Sequence, residues 1–182
     1  MQKNSKAFRT TRVLTAAAML TAISVLIGIV CKNFFTYGIY YRVTFENLPV
    51  IMAGMLFGPV VGGAVGAAAD IVSCLCSANP AVIPGITVGA AAVGVVAGAV
   101  PRTLVKKRGD AQTAVSVALA HLVGQVAIKS AAKIVWLGMP WYGVFIGLGV
   151  SLFVGTLEFF ALRLLLRNKA VAAMAGGESH DL

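Results

Sequence analysis

Leu48-Pro49-Val50-Ile51-Met52-Ala53-Gly54-Met55-Leu56-Phe57-Gly58-Pro59, continued by an apolar run to Leu75, decides how often this chain crosses its surroundings. Proline disfavours helix in the residue before it, so Gly58-Pro59 is either a turn between two helices or a kink in one. Charge chooses between them. Read as a turn, the chain has six apolar spans, at about residues 13–31, 44–58, 59–77, 82–101, 111–137 and 142–166. With the N-terminus inside, Lys3, Lys6, Arg9, Arg12, Arg102, Lys106, Lys107, Arg108, Arg163, Arg167 and Lys169 then share one side, and Lys32 and Arg42 fall on the other. Read as a kink, the chain has five spans, and the basic 102–108 loop and C-terminus move outside, against the excess of Lys and Arg that cytoplasmic loops carry. The reading is six spans with both termini cytoplasmic, although the second span is short.

Composition agrees. Of 182 residues, 59% are hydrophobic and 12% charged, and the mean hydropathy is +0.90; a soluble domain carries about a quarter charged residues. An ordinary soluble protein is excluded, and the length allows one domain. The expected layout is a cytoplasmic segment 1–12, a single membrane domain 13–169 of all-α class, and a flexible cytoplasmic tail 170–182. The formal net charge of +9 lies at the ends of apolar runs, which orients a membrane protein. It does not form a stripe with interleaved aromatics, so no nucleic-acid partner is expected. The first run lacks an A-x-A cleavage site and reads as a span, not a signal peptide.

Many of the 20 glycines fall in small-xxx-small spacing: Gly62/Gly66, Gly85/Gly89, Gly94/Gly98, Gly143/Gly147 and Ser151/Gly155. This spacing lets helix backbones approach closely, and packing within the molecule is the plain reading. Ionisable residues within a span are costly and mark functional candidates. His121, Gln125, Lys129 and Lys133 recur every four residues in the fifth span, as one polar ridge with Trp136 near its outer end. The two lysines either meet an anionic ligand in an outward-opening cavity or pair with Asp70 of the third span. Glu158 matches the depth of His121, so a structural pair is favoured there over a proton relay. The aromatic stretch Thr36 to Phe45, containing Tyr40, Tyr41 and Arg42, is either an interfacial belt or a lid that stacks on a flat ring while Arg42 takes a carboxylate.

No enzyme constellation is present in the sequence. Cys74 and Cys76 form C-x-C with no second pair, three cysteines make no disulfide framework, and nothing matches G-x-x-x-x-G-K-[ST]. Neither a metal, a cofactor nor an ATPase site of its own is expected.

Asn47 to Pro59, followed by Gly62 to Asp70 and by Ile83-Pro84-Gly85-Ile86-Thr87, resembles the substrate-binding S components of energy-coupling factor (ECF) vitamin transporters. The Pro84-Gly85-Ile86-Thr87 stretch points to the folate branch. The resemblance implies a six-helix bundle in the bacterial cell membrane that captures one vitamin on its outer side and docks on a transmembrane coupling subunit with two ATPase subunits. It implies docking through A-x-x-x-A motifs, matched by Ala18/Ala22 and Ala64/Ala68. For a folate-like ligand, Arg42, Lys129 and Lys133 would hold carboxylates. Tyr40, Tyr41 and Trp136 would stack on the ring, with Pro84 and Gly85 beside them, and Asp70 would accept a pterin's amino-pyrimidine edge. Where folate-branch members tend to carry Asn-Thr, this chain has Lys133-Ile134, so pantothenate or another small carboxylate stays open. Two further classes compete: a proton-coupled secondary transporter using His121 and Glu158, and a ligand-less scaffold.

Overall fold

The stretch around Gly58 is a reversal of the chain. In the computed structural model, which describes residues 2–37, 41–42, 44–77, 83–105, 107 and 109–168, helix α2 (Asn47–Phe57) ends where α3 (Pro59–Leu75) begins. Gly58 between them has φ 109°, a left-handed conformation that L side chains rarely adopt, and Pro59 opens the next helix with its ring-locked φ. A Cβ built on Gly62 would lie 2.6 Å from Gly54 Cα, and one on Gly66 would lie 3.1 Å from Val50 Cγ1. In one continuous helix, Gly54 and Gly62 would be about 12 Å apart at 1.5 Å per residue. Contacts that pair residues symmetrically about Gly58 make an antiparallel hairpin. The same glycine lies against the Arg102 guanidinium, so the turn is level with the basic end of the bundle.

The other helices are α1 (Gln2–Phe34), α4 (Pro84–Thr103), α5 (Asp110–Leu137) and α6 (Gly143–Arg167). A two-residue ladder, β1 (Thr36–Tyr37) against β2 (Tyr41–Arg42), follows α1. Four of the helices are long and apolar enough to cross a membrane, with α2 and α3 shorter. Helix α4 is the central rod, packed on α2, α3 and α5; α1 covers α3 and α2, and α6 lies on α5. Close approach explains the glycine content. A Cβ on Gly62 would sit 2.5 Å from Gly94 O, and one on Gly94 would strike Gly62 O, so the α3–α4 crossing is backbone against backbone. Ile51, Ala53, Val93, Ala97, Ala120 and Leu162 fill the remainder of the core.

Helix α2 is short for a physical reason. The segment leading into it descends inside the bundle: Ser24 Oγ donates to Glu46 O at 2.7 Å, and a Cβ on Gly28 would meet Glu46 Oε2 at 2.8 Å. Ser24 is ten residues below the end of α1, about 15 Å at the helical rise. The loop therefore spends its length going inward, and α2 starts near mid-depth.

Candidate functional site

The descending segment and the outer halves of α1, α3, α4 and α5 enclose a buried polar interior. Its outer cluster centres on Asp70 of α3. Asp70 Oδ2 accepts from Thr87 Oγ1 at 2.8 Å, and Oδ1 lies 3.7 Å from Lys32 Nζ. Lys32 also donates to Ser73 Oγ and, at 3.0 Å, to Cys74 Sγ. The lysine reaches this cluster because α1 continues to Phe34, which holds Lys32 on the helix beside α3 while Asn33 and Phe34 are exposed; the sequence reading ended that span at Cys31 and left Lys32 outside. Its side chain is 6% exposed and that of Asp70 2%, so the pair is desolvated on both sides.

The inner cluster centres on Glu46, which lies 3.8 Å from Lys129 Nζ. The two lysines of the ridge therefore part company. Lys129 faces Glu46, with its stem against Gly89, and the pairing of these lysines with Asp70 that the sequence left open is replaced by Glu46–Lys129 and Lys32–Asp70. Lys133 lines a small pocket with Thr44, Gln125, Ser130, Gly147 and Ser151. Gln125 Nε2 donates to Thr44 Oγ1 at 3.3 Å, and its Oε1 is buried with no hydrogen-bond partner among the described residues. A buried amide oxygen left in this state costs about 1–3 kcal/mol, a cost that an incoming donor removes.

His121 closes the pocket floor. Its Nε2 lies 2.7 Å from Glu158 Oε2 and its Nδ1 3.1 Å from Ser151 Oγ, all three residues buried. The pair inferred from matching depth is present. Residues His121 to Lys129 wind as a π-helix, a local form often found at functional sites. It helps split a ridge spaced by fours into separate tasks: His121 to α6, Gln125 and Lys133 to the pocket, Lys129 to Glu46.

The other sequence candidates fall around the outer rim. Trp136 is half-exposed and covers Gly85, where a Cβ would meet its ring at 2.9 Å, and Pro84 is exposed beside it. Tyr40 lies outside the described residues. Tyr41 and Arg42 form β2, paired with Tyr37 and Thr36, and the stacking and carboxylate roles read for them rest on side chains outside the described set. Ala18 and Ala22 on α1, and Ala64 and Ala68 on α3, are all exposed, away from the pocket. Sequence reasoning missed Glu46, Thr44, Lys32, Ser73 and Thr87, none of which stands out by periodicity in its own segment.

The family model described as "ECF transporter, substrate-specific component" matches residues 12–177. The chain belongs to this family. It is thus a substrate-specific component, an S component, and a multi-pass membrane protein. It is similar to the folate transporter FolT of Clostridium novyi (strain NT), 41% identical over 49 residues; that stretch covers 27% of this chain and 28% of the relative's length. The fold is that of a crystal structure of FolT bound with folic acid, at TM-score 0.66 and 21% identity, covering 86% of this chain and 97% of that one.

Proposed function

We propose that this S component captures a folate-like anionic vitamin from outside the bacterial cytoplasmic membrane and delivers it by docking on a transmembrane coupling subunit driven by two ATPase subunits. The observation that carries the reading is the pairing of an orphan acceptor with a cation on one pocket wall. Gln125 Oε1 is buried without a partner among the described residues, and Lys133 lines the same pocket two turns outward, about 12 Å along the helix axis. That suits an elongated ligand with ring N–H donors at its inner end and carboxylate at its outer end. Similarity to FolT supplies the vitamin class.

In this reading the roles divide by partner. Lys133 and Arg42 take carboxylate, Trp136, Tyr40 and Tyr41 stack on the ring, and Pro84 and Gly85 contribute to the same site. Asp70 and Lys129 act through their own ion pairs, shaping the site from behind. The pocket beside Gln125 holds about 40 Å³, against 300–1,000 Å³ for sites that enclose a small molecule. Capture therefore requires the Thr44 segment to withdraw from Gln125 and return over the ligand. The exposed alanines Ala18, Ala22, Ala64 and Ala68 leave flat strips on α1 and α3 for a partner helix. All six helices cross the bilayer with both termini cytoplasmic, as the basic residues favour.

The test is folate titration of the purified chain. Lys133→Gln and Gln125→Leu each weaken folate binding by about tenfold or more, the worth of one charge-assisted or buried hydrogen bond. Unchanged affinity in both variants contradicts the assignment of this wall to the ligand.

A further inference from the structure

Helices α5 and α6 meet along a seam that stays partly open on the outside of the bundle. It forms a groove of about 370 Å³, lined by Ala114, Ala118, Leu122, Leu152, Gly155 and Phe159 among others, and large exposed apolar side chains such as Phe153 and Phe160 lie on the α6 surface nearby. From Ala114 to Val126 it follows α5 for about 18 Å. One leaflet of a hydrocarbon core roughly 30 Å thick offers acyl chains about 15 Å of depth. The groove therefore matches one lipid tail in length and in chemistry, and its volume lies within the range of small-molecule sites.

A second, independent feature marks one end. One turn beyond Phe159 stands Arg163, whose Nη2 pairs with Asp110 Oδ2 at 2.6 Å, while its Nε is buried with no hydrogen-bond partner among the described residues. Arg167 follows one turn later and is exposed, as is Lys107 in the preceding loop. Asp110 offsets one of these three cations, so the end of the groove keeps a positive balance. We propose that the α5–α6 groove binds one anionic glycerophospholipid, with an acyl chain along Ala118 and Gly155 and the phosphate at Arg163 and Arg167. Basic pockets between membrane helices are a recurrent setting for anionic headgroups. The groove shares His121 and Ser151 with the wall of the vitamin pocket, but its headgroup end at Arg163 lies one turn beyond Phe159, outside that pocket's lining.

Native mass spectrometry of the full chain in mild detergent, titrated with phosphatidylglycerol or phosphatidylcholine, tests the proposal. The wild type retains one phosphatidylglycerol at about tenfold or more lower concentration than phosphatidylcholine. Arg163→Gln abolishes that preference, and Ala118→Phe, which fills the groove, lowers retention of both lipids. Gly155→Ala is a gentler filler, since its added carbon would meet His121 at an ordinary 3.5 Å; it weakens retention in the same direction should Ala118→Phe fail to fold. Equal retention of the two lipids by the wild type overturns the proposal, as does phosphatidylglycerol retention untouched by all three variants. Loss of coupling-subunit assembly in Ala118→Phe with unchanged lipid retention makes the groove a protein interface and overturns it too.

Discussion

Glu46 and Lys129 allow the electrostatics of the site to be measured separately from its ligand chemistry. Their charged atoms are 3.8 Å apart, with side chains 8% and 4% exposed. At an effective dielectric constant of about 20, unit charges at that distance attract by about 4 kcal/mol. Glu46→Gln keeps the shape but removes the carboxylate that Lys129 faces, and Lys129→Met removes the cation instead. Each single change is expected to cost about 3–5 kcal/mol. The double variant Glu46→Gln/Lys129→Met removes both charges and loses far less than the sum, with a coupling of about 3 kcal/mol. The assay is unfolding in mixed micelles with increasing denaturing detergent, followed by far-ultraviolet circular dichroism, run as a double-mutant cycle. Single effects that add to within about 0.5 kcal/mol show that the two residues do not interact, and the account of how the descending loop is anchored then fails.

Three further outcomes follow from the packing. Gly62→Ala drives a carbon to 2.5 Å from Gly94 O and is expected to destabilise by about 1–3 kcal/mol or more, whereas Gly149→Ala, with open space around it, leaves the melting temperature unchanged within error. His121→Leu deprives Glu158 Oε2 of its imidazole partner while Oε1 already has no hydrogen-bond partner among the described residues, so it costs about 3–5 kcal/mol; His121→Leu/Glu158→Leu recovers much of the loss in the same unfolding assay. Ala18→Trp and Ala64→Trp change exposed positions, so purified variants keep folate binding while co-purification with the coupling subunit is lost.

Much of the fold was legible because its signals are local. The reversal at Gly58 followed from proline sterics and the placement of arginines and lysines, and the contact of Gly62 with Gly54 bears it out. Glycine spacing correctly announced close packing. The site was less legible, because its pairs join residues far apart in sequence. Lys32 and Asp70 are 38 positions apart, and the register that brings them together depends on α1 running three residues further than its apolar stretch. Glu46 belongs to a segment with no helical period, so nothing in the pattern says that it turns inward to Lys129. The ridge at 121, 125, 129 and 133 was visible, but its division among α6, the pocket and Glu46 depends on neighbours and π-winding that spacing alone does not encode.

The central claim, that the chain binds a folate-like vitamin before any partner is present, is tested most directly by titrating folate into the purified protein and following its melting temperature and its tryptophan fluorescence, to which Trp136 over Gly85 at the rim contributes. The account predicts a saturable change with a stabilisation of about 2.7 kcal/mol at a hundredfold excess over the dissociation constant, halved or worse in Lys133→Gln. No response to folate, alongside a saturable response to pantothenate, biotin, thiamine or riboflavin, contradicts the folate assignment; silence to all of them contradicts capture by the chain alone.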